Sequence, residues 1–106
     1  MSDKIIYHLH AEVCKALAHG IRIEIIDLLN DDELGFKEIA IKTGVSKSSL
    51  SQHLSIMVEK GLLTQRKEGL NTYYKISTSK VSQACQLMRE VLIEKLEKTK
   101  DFLHIL

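Results

Sequence analysis

Gly44 and Gly61 bracket the stretch that most constrains what this chain can become. Ser46 follows Gly44 as a helix N-cap, and the chain then reads Lys47-Ser48-Ser49-Leu50-Ser51-Gln52-His53-Leu54. Apolar residues recur at Val45, Leu50, Leu54, Met57 and Val58, roughly the i, i+4 rhythm of a helix with one buried face. The other face carries Lys47, Ser48, Ser51, Gln52 and Ser55, all small or polar hydrogen-bonding groups. The helix is expected to run to about Lys60 and to end at Gly61. A shorter helix with Phe36, Ile39 and Ala40 inward precedes it, closed by Thr43 and by Gly44 as a C-terminal cap. Beyond it, Leu62 to Lys67 and Thr72 to Ser77 read as two strands around Glu68-Gly69-Leu70-Asn71.

A short helix, a tight turn, a polar-faced helix and a basic hairpin form the pattern of a winged helix-turn-helix. Two further amphipathic helices flank it on the N-terminal side. The first covers residues 5–18 with Ile6, Leu9, Val13 and Leu17 at helical spacing, and the second runs from Ile21 to Leu29. Asn30-Asp31-Asp32 reads as a turn. A last long helix from Ser79 to about Phe102 carries Val81, Ala84, Cys85, Met88, Val91, Leu92, Leu96 and Leu103 on one stripe. A stripe of that length exceeds what its own domain can cover, and so does the apolar face of the first helix. The expected fold is therefore mainly α with a small β-hairpin, one winged helix-turn-helix domain over residues 1–106. Its first and last helices should form the interface of a two-fold homodimer.

Composition narrows the function. No run of about 18 apolar residues is present, so no membrane span is expected. Nor is there a secretory signal pattern. Two cysteines do not make a disulfide framework, and a reducing cytoplasm is the expected location. The net charge of +1 hides a segregation. The first 36 residues hold three basic and seven acidic side chains, whereas residues 37–75 hold seven basic and three acidic. The positive charge thus falls on the helix-turn-helix and hairpin, where duplex DNA would lie. Hydroxyls and amides suit a groove lined with base edges and phosphates.

Ser48, Ser51 and Gln52 are expected to face bases, Lys47, Arg66 and Lys67 to meet phosphates, and Asn71 to sit at the wing tip. Ser55 and Tyr73 belong to the same surface, and His53 is expected to touch the backbone or to pack. The chain lacks a Gly-rich phosphate loop, a Gly-x-Ser-x-Gly elbow and a clustered acid pair in a plausible cleft, so it does not read as an enzyme. Asp31-Asp32-Glu33 reads as a solvated turn. The rival binding class, a winged helix that contacts another protein, fits the polar helix face and the basic segment less well.

The signatures Lys15-Ala16-Leu17-Ala18-His19, Arg22 with Ile25 to Leu29, and Val45-Ser46 to His53-Leu54 resemble the arsenic-repressor (ArsR/SmtB) family of small winged-helix regulators. Gly61-Leu62-Leu63, Arg66-Lys67-Glu68-Gly69 and Tyr73-Tyr74-Lys75-Ile76 continue the match, which covers roughly Glu12 to Phe102. The resemblance implies a homodimeric repressor on an inverted-repeat operator, released by an inducer. It does not supply the inducer. Where family members carry a Cys-x-Cys metal element, this chain reads Asp32-Glu33-Leu34-Gly35-Phe36-Lys37. The last-helix zinc pattern is replaced by Ser82, Gln83 and Ala84, and the persulfide-sensing position of the second helix by Asp27 or a neighbouring aliphatic.

Cys14 and Cys85 remain the candidate sensing residues, one on each of the helices expected to meet at the interface. The alternative is that both are small buried hydrophobes. His8, His10, Glu12 and Cys14 are poorly spaced to bind a metal together; His10 and Cys14, one turn apart, could share one with a partner's Cys85, but exposed or capping histidines are commoner and neither a metal nor a cofactor is expected. A thiol-directed inducer (an oxidant, a persulfide or arsenite) is favoured over a metal-responsive repressor. His19 reads as a helix-end residue and His104 as part of a frayed tail.

Overall fold

A computed structural model describes residues 3–100. The elements are α1 (Asp3–Leu17), α2 (Gly20–Leu29), β1 (Leu34–Gly35), α3 (Phe36–Thr43), α4 (Lys47–Glu59), β2 (Leu63–Glu68), β3 (Asn71–Ile76) and α5 (Ser79–Lys98). Helices and hairpin fall where the apolar periodicity places them. The expected end of the last helix near Phe102, its Leu103 and the tail residue His104 lie outside the described residues.

The core is built from the inward faces of α2, α3, α4 and the hairpin. Ile25, Leu29, Ile39, Leu50, Leu54 and Met57 are fully buried, with Leu62, Leu63, Tyr74 and Ile76 closing the sheet side. Gly44 ends α3 at φ 71°, a left-handed conformation that costs glycine little, and its N–H donates to the Ala40 carbonyl at 2.9 Å. Thr43 Oγ1 donates to the Ile39 carbonyl at 2.8 Å, so the turn into α4 is tied down from both residues.

The sheet has three strands in the order β1-β3-β2, all antiparallel. The sequence pattern announces only the hairpin. β1 is two residues long, too short for any periodicity, and exists because Leu34 and Gly35 pair with Tyr74 and Tyr73. Glu68 faces Asn71 across a two-residue turn. Gly69 there has φ 62° and Leu70 does not, which fits a type II′ hairpin turn. At the hairpin base Ser77 donates from its N–H to the Leu62 carbonyl at 3.0 Å and from its hydroxyl to the Gly61 carbonyl at 2.7 Å. The wing root is thus fixed to the end of α4.

The outer helices differ from the core. α5 contains no buried residue, and Leu87, Met88, Val91, Leu92, Ile93 and Leu96 are each more than two-fifths exposed. On α1, Ile5, Ile6, Tyr7 and Leu9 are similarly open. Among the described residues of α1, Ala16 is the one that is buried. Among the described residues, two apolar faces are left open to solvent.

Candidate nucleic-acid interface

Helix α4 begins at Ser46, whose hydroxyl accepts from the Ser49 N–H at 3.3 Å. Leu50, Leu54 and Met57 fix its inward face. Lys47, Ser48, Ser51, Gln52 and Ser55 are all exposed. At 100° per residue they span an arc of roughly 140° on the outward side. This gives a continuous strip of ammonium, hydroxyl and amide groups with no bulky apolar side chain in it, on a helix held rigidly from behind.

The wing alternates by strand pleat. Leu63, Gln65 and Lys67 share one face with Thr72, Tyr74 and Ile76, while Thr64, Arg66 and Glu68 share the other with Asn71, Tyr73 and Lys75. Lys67 and Asn71 are exposed near the turn. Among the described residues neither Lys47 nor Lys67 is in an ion pair. Both ammonium groups are free to meet an anion.

Arg66 and His53 are engaged within the protein. Arg66 donates to both Glu33 oxygens, at 2.7 and 3.2 Å, and to Glu68 Oε2 at 2.6 Å. Its guanidinium also lies 4.7 Å from the centroid of the half-buried Tyr73 ring. The two carboxylates raise the Arg66 pKa further above its ordinary value. Hydrogen bonding to Arg66 holds Glu33 below the usual carboxylate range, against a smaller opposing effect of desolvation. The group ties the β1 approach to the wing. The sequence places Glu33 in a solvated turn, and no local spacing links it to a residue 33 positions away.

His53 is half-buried and turned from the polar strip. Its Nδ1 accepts from Arg22 Nε at 3.0 Å, and its ring meets that of His19 edge-on, with centroids 5.7 Å apart. Burial above all, then the Arg22 charge and His19, hold the His53 pKa below its ordinary value. Arg22 is the one buried charged side chain among the described residues. The signal for it was present, because Arg22, Ile25, Ile26 and Leu29 share one i, i+3, i+4, i+7 face.

The two cysteines are placed differently. Cys14 is exposed on α1, whereas Cys85 is half-buried on α5. Cys85 lines a groove of ≈ 230 Å³ between α2 and α5, with Ile23, Ile26, Asp27 and Arg89. Arg89 and Asp27 pair across it at 3.3 Å. Burial pushes the Cys85 thiol up, with Arg89 opposing and Asp27 adding to the shift. Among the described residues no group of three or more His, Cys, Asp or Glu side chains is placed to hold a metal ion.

A capped helix with an exposed polar strip, packed on a second helix and followed by a basic hairpin, defines a winged helix-turn-helix DNA-binding domain. Residues 19–65 match the arsR family of bacterial regulatory proteins. The chain is 34% identical to the transcriptional activator HlyU of Vibrio cholerae over 73% of its own length and 71% of HlyU. It is 37% identical to the HTH-type transcriptional regulator Rv0324 of Mycobacterium tuberculosis over 81% of its length, but spans only 38% of that protein. Among solved structures it resembles the homodimeric winged helix-turn-helix DNA-binding domain Mb0332 of Mycobacterium bovis. That match has a TM-score of 0.80 and 35% identity, and covers 91% of each chain. The chain belongs to the ArsR family of bacterial transcriptional regulators. No helix among the described residues is long and apolar enough to cross a membrane.

Proposed function

We propose that this chain is a two-fold dimeric repressor that lays α4 of each protomer in successive major grooves of an inverted-repeat operator and rests its wings on the flanking backbone. The observation that carries this reading is the exposed strip Lys47, Ser48, Ser51, Gln52 and Ser55 on a helix whose opposite face is fully buried. Ser48, Ser51 and Gln52 read bases, Lys47 and Lys67 neutralise phosphates, and Asn71 contacts DNA at the wing tip. Arg66 and Tyr73 support the wing from within, and His53 supports α4 from behind. The uncovered faces of α1 and α5 pack against their counterparts in the second protomer, as their apolar exposure requires. As a DNA-bound regulator the protein works in the cytoplasm, and by occupancy rather than catalysis.

Release follows from a change at the α1–α5 layer. Cys14 is accessible there, and Cys85 borders the groove that joins α5 to α2. Modification of these thiols would alter the spacing of the two recognition helices. Such a switch needs only a few kcal/mol between the two dimer states. Gel shifts of wild type and a Cys14→Ser, Cys85→Ser variant against oxidant, persulfide, arsenite and zinc test this. Equal responses from both proteins would remove the thiols from the mechanism, and release by zinc alone would point to a metal.

The DNA-binding mode is tested by salt and sequence. Gln52→Ala should cost about 1–3 kcal/mol and relax specificity at one position per half-site. Lys67→Ala should weaken all sequences alike and reduce the salt slope by about one. An operator preference unchanged by Gln52→Ala but altered by Leu70→Ala would reverse the proposed roles of helix and wing.

A further inference from the structure

The side chain of Arg22 spans three helices. It leaves α2, donates from one terminal nitrogen to the Ala16 carbonyl in the last turn of α1 at 3.2 Å, and donates from Nε to His53 Nδ1 on α4 at 3.0 Å. It is only 7% exposed, and no carboxylate among the described residues is in an ion pair with it. A buried cation without a counter-charge depends on neutral acceptors to compensate its lost hydration. Here those acceptors are one carbonyl and one imidazole lone pair.

The imidazole lone pair exists only while His53 Nδ1 carries no proton. Protonation turns an acceptor into a donor and places a second cation at hydrogen-bond distance from the guanidinium. The groups around His53 offer no relief. Arg22 faces it from α2 and His19 from the α1–α2 junction, and both disfavour the charged ring. The acid that α1 brings towards α4, Glu12, is paired with Lys60 at 3.8 Å and Lys15 at 3.4 Å.

We propose that Arg22 is a positioning residue that transmits the placement of α1 to the recognition helix α4, and that protonation of His53 disengages it and lowers affinity for specific DNA. The inference rests on the DNA-binding reading above. It gives the chain an acid-responsive contact separate from its two thiols. The sign is fixed by linkage. The unfolded chain takes up the His53 proton near the ordinary value of about 6.5, and the folded protein only at lower pH. The strut is therefore fully present above that value and is lost as pH falls through the folded value.

General electrostatics predict the opposite trend, because protonating histidines adds positive charge and strengthens phosphate binding. The test uses the full chain and a duplex selected from a random-sequence library with this protein at pH 7.5. Wild-type affinity for the selected duplex should fall by about tenfold per pH unit below the His53 value, while affinity for random duplex holds or rises. The substitution His53→Gln keeps an acceptor for Arg22 without titrating. Whatever its affinity at pH 7.5, His53→Gln should retain it down to pH 5.5, and His53→Leu should bind the selected duplex weakly at every pH.

A wild-type affinity that rises or stays level with acid would overturn the proposal, as would a parallel fall in His53→Gln. A readout without DNA keeps the two readings apart. As His53 protonates in a pH titration followed by NMR, hydrogen-exchange protection in α4 should drop in wild type and persist in His53→Gln. Unchanged protection in wild type would sink the strut even if DNA binding fails altogether, and absence of salt-sensitive duplex binding at pH 7.5 would sink the DNA reading alone.

Discussion

Arg66 sits between two carboxylates and over a tyrosine ring, so its replacement separates a brace from a phosphate contact. If Arg66 braces the wing, Arg66→Ala should leave the salt slope of DNA binding unchanged, in contrast to the drop of about one expected for Lys67→Ala. Fluorescence anisotropy across a salt series reads the difference directly. Asn30 offers a second test. It ends α2 at φ 44° and ψ −110°, where a side chain is strained, and its N–H donates to the Ile26 carbonyl at 3.0 Å. Relief of that strain should outweigh the extra freedom of glycine in the unfolded chain. Asn30→Gly is expected to stabilise the fold by about 0.5–1 kcal/mol in urea melts, and a lower midpoint would show that the Asn side chain contributes more than the strain costs.

At the scale of elements, α4 is the part most completely written in local sequence. Its cap, its buried stripe and its polar strip all follow from Ser46, the Leu50-Leu54-Met57 spacing and the residues between. Ser46→Ala should cost about 1 kcal/mol through loss of the bond to the Ser49 N–H, and Ser46→Asp should restore it. Thermal midpoints would fall by roughly 4–8 °C in the first variant, and no fall would mean that solvent caps the helix as well. The wing is legible in its strands and turn but not in its support. β1, the Glu33 carboxylate and the close approach of Gly35 to the Tyr73 ring arise from segments distant in sequence. A Cβ at Gly35 would sit 3.4 Å from that ring. Nothing in the order of residues around Glu33 points to Arg66 rather than to water.

At the scale of the whole molecule, the apolar faces that α1 and α5 expose among the described residues point to a second protomer. Sedimentation at micromolar concentration should show a dimer, and a monomer there would remove the inverted-repeat geometry. Deleting residues from Ile93 onward takes away Ile93 and Leu96, both exposed on α5 and both outside the core cluster. The truncated protein should sediment as a monomer and lose tight operator binding, while circular dichroism still reports a helical core. Retention of a dimer would place the main interface on α1 or nearer the start of α5.

What the sequence determined by itself is whatever repeats locally. Apolar residues at helical spacing set the helices, Gly44 and Gly69 set turns that need positive φ, and the split between acidic and basic halves put the positive charge on the helix-turn-helix and hairpin. Cys85 marks the limit of that logic: its place on the stripe is plain, but its raised pKa comes from α2 packed across the groove. The partners of Arg22, His53 and Arg66 lie beyond the limit. Local spacing puts Arg22 on a buried face, leaves His53 to touch the DNA backbone or to pack and sends Arg66 to a phosphate, but it names no partner within the protein for any of them. The tertiary structure supplied those partners, because folding brought an imidazole lone pair within 3.0 Å of Arg22 and two carboxylates onto Arg66. A polar group taken out of water must find partners, and which partners it finds is a property of the packed chain rather than of its neighbours in sequence.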